Sequence, residues 1–413
     1  MSLDLLAPQQ AAPDRPWRDP ASYWTSMTDA VADLSGPVGA VHLGALRYNA
    51  LDMTVRAGGM PIRVASKSVR VRALVDAVLD VPGYRGILAF TLPEALWLAH
   101  TGHDDIVVGY PTADRAAIAR LAADEQAAAH ITVMVDAVEQ LDLIDAVAAP
   151  GTRPSIRVWI DADASWRAPA PLGHIGVRRS PVHDVAEVAA LGRAIASRTG
   201  FTLVGLMMYE AQIAGQPDHE GASDPVIRWM QRRSGHELLE RRSAIVAALR
   251  GIVPLEFING GGTGSIELTA SDPAVTEVTA GSGLLAGHLF DRYRVFEPAP
   301  AAAFSLEVVR KPTDDIATVL GGGWIASGPP VASRQPLPVW PAGLRTLGRE
   351  GAGEVQTPLQ GESARRLNVG DRVWFRHAKS GELAERIGSY RLIEAGRVID
   401  EVPTYRGEGK AFL

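Results

Sequence analysis

Short apolar runs alternate with amphipathic stretches through the first three quarters of the chain. The apolar runs predict buried strands, and the stretches with apolar positions three and four residues apart predict helices. We predict strands at 62–65, 86–90, 105–108, 132–135, 156–160, 203–208, 255–258 and 275–279, with helices between them at 93–101, 115–129, 182–199 and 225–249. Eight strands alternating with helices are typical of a (β/α)8 TIM barrel in the α/β class. A doubly wound sheet is the alternative, because a strand count taken from a pattern can differ by one or two.

The pattern changes near residue 297. A segment rich in Pro and Ala leads into alternating strands at 373–376, 388–393 and 397–401, separated by Gly and Pro turns. This pattern predicts a second, smaller all-β C-terminal domain. A helix at 20–34, capped by Asp19, comes before the barrel. We therefore expect an N-terminal lead at 1–35 that packs on the β domain, a barrel at 36–296 and a β domain at 297–413.

Composition narrows the function classes. The 413 residues are 46% hydrophobic and 21% charged, with a formal net charge of −6, as in a soluble globular protein. Basic residues are scattered among acids, so we expect no nucleic-acid partner. The sequence shows neither a secretion signal nor a run of membrane-spanning length, and we expect a cytoplasmic protein without a membrane partner. Because the chain has no cysteine, thiolate nucleophiles and thiolate metal sites are excluded.

Lys67 lies at the carboxyl end of the first predicted barrel strand. Its stem would be surrounded by apolar neighbours, and partial desolvation of the ammonium favours the neutral amine that forms a Schiff base. A solvated lysine at a strand end is the simpler alternative. The position alone does not decide between them.

Two glycine-rich turns follow the seventh and eighth predicted strands, with the sequences INGGGTGS at 258–265 and TAGSG at 279–283. Backbone N–H groups in such turns point into one cavity and bind phosphate, and barrels commonly hold phosphate at this place. The candidate phosphate contacts are Gly261, Gly262, Thr263, Gly281, Ser282 and Gly283. A cofactor with both an aldehyde and a phosphate would satisfy Lys67 and these turns together, which describes pyridoxal 5′-phosphate.

Five short motifs, taken in their order along the chain, are similar to those of a known enzyme family. They are RVASKSVR at 63–70, GHIGVRRSP from Gly173, LMMYE at 206–210, GGGT and AGSG. Together they resemble the fold type III pyridoxal phosphate enzymes, and within them the D-threonine aldolase and D-serine dehydratase-like branch of amino acid deaminases/aldolases rather than alanine racemase itself. The resemblance implies that Lys67 carries the cofactor, that Arg178 lies near its ring and that Tyr209 lies beside the pyridine. It also implies a homodimer in which the β domain of one chain closes the barrel mouth of the other.

The segment 371–387 departs from the family pattern. The related enzymes bind a divalent metal through a histidine and an aspartate or cysteine two residues later, whereas this chain has His377 followed by Lys379. A protonated lysine does not ligate a metal. We expect the Lys379 ammonium to take the place of the metal, with His377 as proton acceptor. The alternative is a divalent metal held by His377 with Glu382 or Glu385.

We predict a pyridoxal phosphate-dependent lyase with Lys67, His377 and Lys379 as catalytic residues. Its substrate would be a small molecule, an amino acid, expected to be a β-hydroxy D-amino acid that undergoes retro-aldol cleavage or deamination. A pyridoxal phosphate-dependent amino acid racemase is the first alternative. A non-catalytic pyridoxal phosphate-binding protein is the second.

Overall fold

A computed structural model describes residues 3–6, 15–219, 221–379 and 381–413. Eight parallel strands close into a barrel. In the order in which they pair around it, they are Phe257–Gly260, Glu277–Ala280, Ile62–Ala65, Tyr84–Ala89, Ile106–Val108, Ile131–Val135, Ile156–Asp161 and Phe201–Met208. The predicted TIM barrel is confirmed, and a doubly wound sheet is excluded by the closure.

Alternate side chains of the barrel strands point outward to the helices and inward to the barrel axis. The outward residues join the main apolar core, for example Val64 and Val158. The inward residues form a separate cluster that contains Leu88, Val107, Met134 and Trp159. The barrel is therefore packed with side chains below its mouth, and the open space lies at the carboxyl ends of the strands.

Most of the α-helices pack against the outside of the barrel or lie in the connections at its mouth. The structure describes them at Pro20–Ala30, Leu43–Arg56, Arg72–Leu79, Leu92–His100, Arg115–Ala123, Glu125–His130, Val138–Val147, Val185–Ala196, Ala211–Ala214, Asp224–Arg250, Ile266–Ala270 and Ser282–Leu285. The single helix predicted at 115–129 is instead two, because Asp124 ends the first in an extended conformation and accepts a hydrogen bond from Ala127 N. In the described part of the chain, no helix is long and apolar enough to cross a membrane.

A second, nine-stranded sheet forms the β domain. Its strands are Val38–His42, Ala302–Thr313, Ile316–Leu320, Leu337–Trp340, Arg345–Thr346, Gln356–Gln360, Arg372–Arg376, Ser389–Glu394 and Arg397–Pro403. The strand Val38–His42 pairs antiparallel with Ala302–Thr313 and parallel with Ser389–Glu394. Residues 38–42, which we assigned to the barrel domain from the sequence, thus belong to this sheet.

The first helix, Pro20–Ala30, packs on the β domain. Asp19 caps it by accepting a hydrogen bond from Ser22 N, and it ends four residues before the predicted end at Leu34. The ring of Trp24 lies 5.9 Å from that of Trp374 in the sheet. The N-terminal part of the chain is therefore held against strands from its C-terminal part.

Candidate active site

A cavity of about 380 Å³ opens at the carboxyl ends of the barrel strands. Its wall includes Lys67, the glycine turns at 261–263 and 281–282, and tyrosines at the ends of two strands. The β domain of the same chain supplies Ile325, Ser327, Arg334, Lys379 and Glu382. The cavity thus lies between the barrel mouth and the β domain.

Lys67 lies in a 3₁₀ turn, Ser66–Ser68, directly after the strand Ile62–Ala65. The hydroxyl of the buried Ser66 donates to Leu88 O at 3.0 Å and fixes the turn to the neighbouring strand. The Lys67 side chain is half-buried, and its Nζ donates to Tyr110 Oη at 2.5 Å. The amine is therefore held at a defined position in the cavity wall.

The two glycine turns are tied to each other and to the barrel. Gly261 has φ +87°, a left-handed conformation that glycine adopts without strain, and its N–H donates to Glu210 Oε2 at 3.2 Å. Gly283 N donates to Thr263 Oγ1 at 2.9 Å, which joins one turn to the other. Gly283 itself is not among the described residues that line the cavity, whereas the other five predicted phosphate contacts are.

The glycine turns pack so closely against neighbouring residues that a side chain would not fit without displacing them. A Cβ at Gly262 would lie 2.9 Å from the Ala214 Cβ, and a Cβ at Gly281 would lie 2.6 Å from Ala65 O. Beside these glycines, the hydroxyls of Ser68 and Ser282 lie 3.0 Å apart. Hydroxyls and close backbone suit a phosphate, so the residues fit the phosphate of pyridoxal 5′-phosphate.

Burial shifts the titration of two groups in the cavity wall. Burial, with the charge of Asp136 as the next cause, raises the pKa of Asp161 to about 7, and Arg179 opposes this shift. Burial and the neighbouring Glu210 raise the pKa of Tyr209 to about 12. Tyr209 therefore stays protonated at neutral pH, whereas Asp161 changes charge in that range.

The adjacent arginines Arg178 and Arg179 differ in their position relative to the cavity. Both side chains are exposed, but only Arg179 is among the described residues that line the cavity. The Arg179 guanidinium lies 5.9 Å from the centre of the Tyr110 ring. Of the two adjacent arginines, Arg179 is the one near Lys67.

His377 and Lys379 do not meet in the cavity. His377 is fully buried, and neither ring nitrogen has a hydrogen-bond partner among the described residues. Burial, and then the charge of Arg376, lowers its pKa to about 3. Lys379 lines the cavity, and its Nζ donates to Ser327 Oγ at 3.3 Å. The structure thus brings Lys379, but not His377, into the wall of the cavity that Lys67 also lines.

The residues present do not fit a divalent metal. Within the described ranges, no group of three or more His, Cys, Asp or Glu side chains could hold an ion. Glu385 pairs with Arg70 at 2.5 Å, and both oxygens of Glu382 accept backbone N–H groups. The carboxylates that we considered as ligands are therefore engaged elsewhere.

Several cavity residues were not predicted from the sequence. Tyr110 and Asp161 follow predicted strands, and their position at strand ends could have indicated them. Arg334 and Ser327 lie in a long connection between β-domain strands, where no periodic pattern points to a site.

A family model described as alanine racemase, N-terminal domain, matches residues 41–287, more than half of the chain. The chain belongs to this family. Its barrel is accordingly that of the fold type III pyridoxal phosphate enzymes, as the resemblance in the sequence implied. The match ends at residue 287, shortly after the helix Ser282–Leu285 that follows the second glycine turn, so it includes Lys67 and both turns.

Relatives and solved structures add detail. The chain is 29% identical over 218 residues to a 3-hydroxy-D-aspartate aldolase of Paracoccus denitrificans, which covers 52% of this chain and 50% of the relative. The chain thus spans about half the length of the curated relative it matches. The fold is similar to D-threonine aldolase from Filomicrobium marinum, with TM-score 0.75 and 21% identity over 91% of this chain and 96% of that one. It is also similar to D-threo-3-hydroxyaspartate dehydratase from Delftia sp. HT23, with TM-score 0.70 and 20% identity over 91% and 99%.

Proposed function

We propose that this protein is a pyridoxal phosphate-dependent lyase that acts on β-hydroxy D-amino acids. The observation that carries the proposal is the shared cavity of Lys67 and the two glycine turns, which suits a cofactor with an aldehyde at one end and a phosphate at the other. The names of the relatives support the substrate class, because they act on 3-hydroxy-D-aspartate, D-threonine and D-threo-3-hydroxyaspartate.

Different residues of the cavity would bind different parts of the cofactor. Lys67 would bind its aldehyde carbon, and Gly261, Gly262, Thr263, Gly281 and Ser282 would surround its phosphate. Gly283 would support them through its hydrogen bond to Thr263. Tyr209, next to Gly262, would lie beside the ring, and Arg179 rather than Arg178 is within reach of it. When bound, the cofactor supplies an electron sink for the bond that breaks at the substrate Cα.

The chain supplies proton transfer at two positions. Lys67, oriented by Tyr110, can hold or move a proton at Cα. For retro-aldol cleavage, a proton must leave the β-hydroxyl, and Asp161 lines the cavity with a pKa near neutrality. We propose Asp161 as this acceptor in place of His377, because His377 is buried away from the cavity wall. Lys379 would contribute a positive charge at the opposite side.

Three further expectations remain proposals. The division into 1–35, 36–296 and 297–413 is one, with residues 38–42 assigned to the β domain by their pairing. A homodimer is the second, supported by resemblance alone. A cytoplasmic location is the third.

Product analysis tests the proposed function. Purified protein loaded with pyridoxal phosphate would be incubated separately with 3-hydroxy-D-aspartate, D-threonine, D-serine and D-alanine. Glycine plus an aldehyde or oxoacid indicates aldol cleavage, and ammonia plus a 2-oxoacid indicates deamination. Formation of the L-isomer without cleavage would support a racemase instead. If the loaded protein transforms none of these amino acids, the lyase proposal is wrong.

A further inference from the structure

One exposed serine of the β domain holds three charged residues at the cavity. Ser327 N donates to Glu382 Oε1 at 3.0 Å, Arg334 Nη1 donates to Ser327 O at 3.1 Å, and Lys379 Nζ donates to Ser327 Oγ at 3.3 Å. All four residues line the cavity. The two cations are thus anchored on a single residue, on the β-domain side of the cavity.

These two cations each lack a carboxylate partner of their own. In the part of the chain that the structure describes, neither Arg334 nor Lys379 forms an ion pair, and the side chain of each donates one hydrogen bond, to an uncharged atom of Ser327. The Glu382 carboxylate, whose two oxygens accept the N–H groups of Ser327 and Lys379, offsets part of this positive charge and opposes the lowering of the Lys379 pKa, so two cations share one carboxylate. Two half-buried positive charges held together repel each other, and the charge of Arg334 contributes, after burial, to a lowered pKa of Lys379. An anion bound between them would relieve this repulsion.

The opposite side of the cavity already has a cation for the reacting end of a substrate. Arg179 and Lys67 approach the same Tyr110 ring, with Arg179 Cζ at 5.9 Å and Lys67 Nζ at 5.2 Å from its centre. Arg179 is therefore available to the α-carboxylate or to the cofactor. The glycine turns account for the phosphate. Arg334 and Lys379 are therefore free to bind a further negatively charged group of the substrate.

We propose that Arg334 and Lys379 bind a carboxylate on the side chain of the substrate, so that the enzyme acts on acidic β-hydroxy amino acids in preference to neutral ones. This inference rests on the proposed function and specifies its substrate class. An arginine fork and a lysine point charge, prearranged by Ser327, form charge-assisted hydrogen bonds with a carboxylate without reorganising the loop.

Binding of unreactive acids tests the subsite without turnover. Calorimetry on the protein loaded with pyridoxal phosphate would compare succinate, which has two carboxylates, with butyrate, which has one. We expect succinate to bind roughly 10- to 100-fold more tightly. Arg334→Met and Lys379→Met, which keep the apolar stem and remove the charge, should each abolish most of this preference. Arg349→Met changes an exposed arginine of the same domain and should leave the preference intact.

Kinetics give a second measurement. The ratio of kcat/KM for 3-hydroxy-D-aspartate to that for D-threonine should exceed one in the parent and fall roughly 10-fold or more in either methionine variant. Equal binding of succinate and butyrate, or a ratio that both variants leave unchanged, would overturn the inference. Cleavage of D-threonine at least as efficient as that of the acidic substrate would overturn it and leave the lyase proposal standing. A succinate preference that depends on both cations, in a protein without lyase activity, would support the subsite and refute the proposed reaction.

Discussion

The Lys67 ammonium and the Tyr110 hydroxyl lie 2.5 Å apart, joined by a hydrogen bond across the mouth of the barrel. Lys67 follows the strand Ile62–Ala65 and Tyr110 follows Ile106–Val108, and the strand Tyr84–Ala89 lies between these two in the barrel. The contact fixes a flexible four-carbon side chain in one direction. It makes Lys67 the best-positioned amine in the cavity for a carbonyl carbon.

Lys67→Ala should remove covalent attachment of the cofactor and all turnover while the protein stays folded. In the parent, borohydride reduction should fix pyridoxal phosphate to the peptide that contains Lys67, and the purified loaded protein should be yellow. Lys410→Ala, at a partly exposed position that is not among the described residues lining the cavity, is the matched control and should behave as the parent. Peptide mapping by mass spectrometry reads the result, and attachment at another lysine would contradict the assignment.

Tyr110→Phe keeps the ring and deletes the hydroxyl that orients Lys67. Loss of one hydrogen bond in a half-buried site is worth about 1 kcal/mol, so kcat should fall roughly 5- to 10-fold. The control is Tyr390→Phe, because the buried Tyr390 hydroxyl has no hydrogen-bond partner within the described residues. If the two variants have the same kcat, the Lys67–Tyr110 contact does not contribute to catalysis.

Gly262→Asp should weaken cofactor binding. The new Cβ would lie 2.9 Å from the Ala214 Cβ, and the carboxylate would bring negative charge against a phosphate dianion. We expect the Kd for pyridoxal phosphate to rise roughly 10- to 100-fold, measured by visible absorbance during titration of the apoprotein. Gly348→Asp is the control, because a Cβ there meets no atom within 4 Å. Unchanged affinity in Gly262→Asp would show that the phosphate lies elsewhere.

The raised pKa of Asp161 predicts that the rate of aldol cleavage depends on pH. Because burial raises its pKa to about 7, it accepts a proton only above that value, and kcat for aldol cleavage should rise as the pH increases through about 7. Asp161→Asn should lose this rise. A pH profile of the variant that matches the parent would exclude Asp161 as the acceptor.

The Asp161 carboxyl also makes the stability of the folded protein depend on pH. The folded protein holds the Asp161 proton more tightly than the unfolded chain, whose carboxyl keeps its ordinary pKa of 3.8. The stability associated with this group is therefore complete below pH 3.8 and is lost as the pH rises through about 7. Above pH 7, Asp161→Asn should be more stable than the parent in denaturant titrations, and this advantage should disappear at low pH.

Activity should survive exhaustive chelation. The described carboxylates near His377 are engaged with backbone or arginine, and the half-buried Lys379 would repel a cation. Elemental analysis should find less than one metal per chain. Loss of activity on chelation, restored by manganese or zinc, would show that a metal site exists despite Lys379.

The sequence predicted the barrel well because its strands are specified locally. Buried strands such as Ile62–Ala65 are short apolar runs, and strand order in a closed barrel follows chain order. The same rule brought Lys67 and the glycine turns to one mouth. It could not choose between Arg178 and Arg179, because a one-residue difference in an irregular loop reverses which side chain faces inward.

Other features depend on contacts between distant parts of the chain. Val38–His42 resembles any buried strand in sequence, and only its partners in the β domain assign it there. Arg334 reaches the cavity through a loop without periodic pattern, held by Ser327 and Glu382. The burial of His377 follows from the packing of Arg376 and the turn at Gly287, which a motif comparison does not contain.

The pairing of Val38–His42 with Ser389–Glu394 has a consequence for synthesis on the ribosome. The barrel lies between these two paired strands in the sequence, so the nine-stranded sheet cannot be completed until the barrel and residues 389–394 have left the exit tunnel. Seven of the eight barrel pairings, by contrast, join barrel strands that follow one another along the chain, and only the closing pair of Ile62–Ala65 with Glu277–Ala280 is distant. During translation, a nascent chain would therefore form an open-mouthed barrel with Lys67 accessible to solvent, and the cations Arg334 and Lys379 would arrive over it only afterwards.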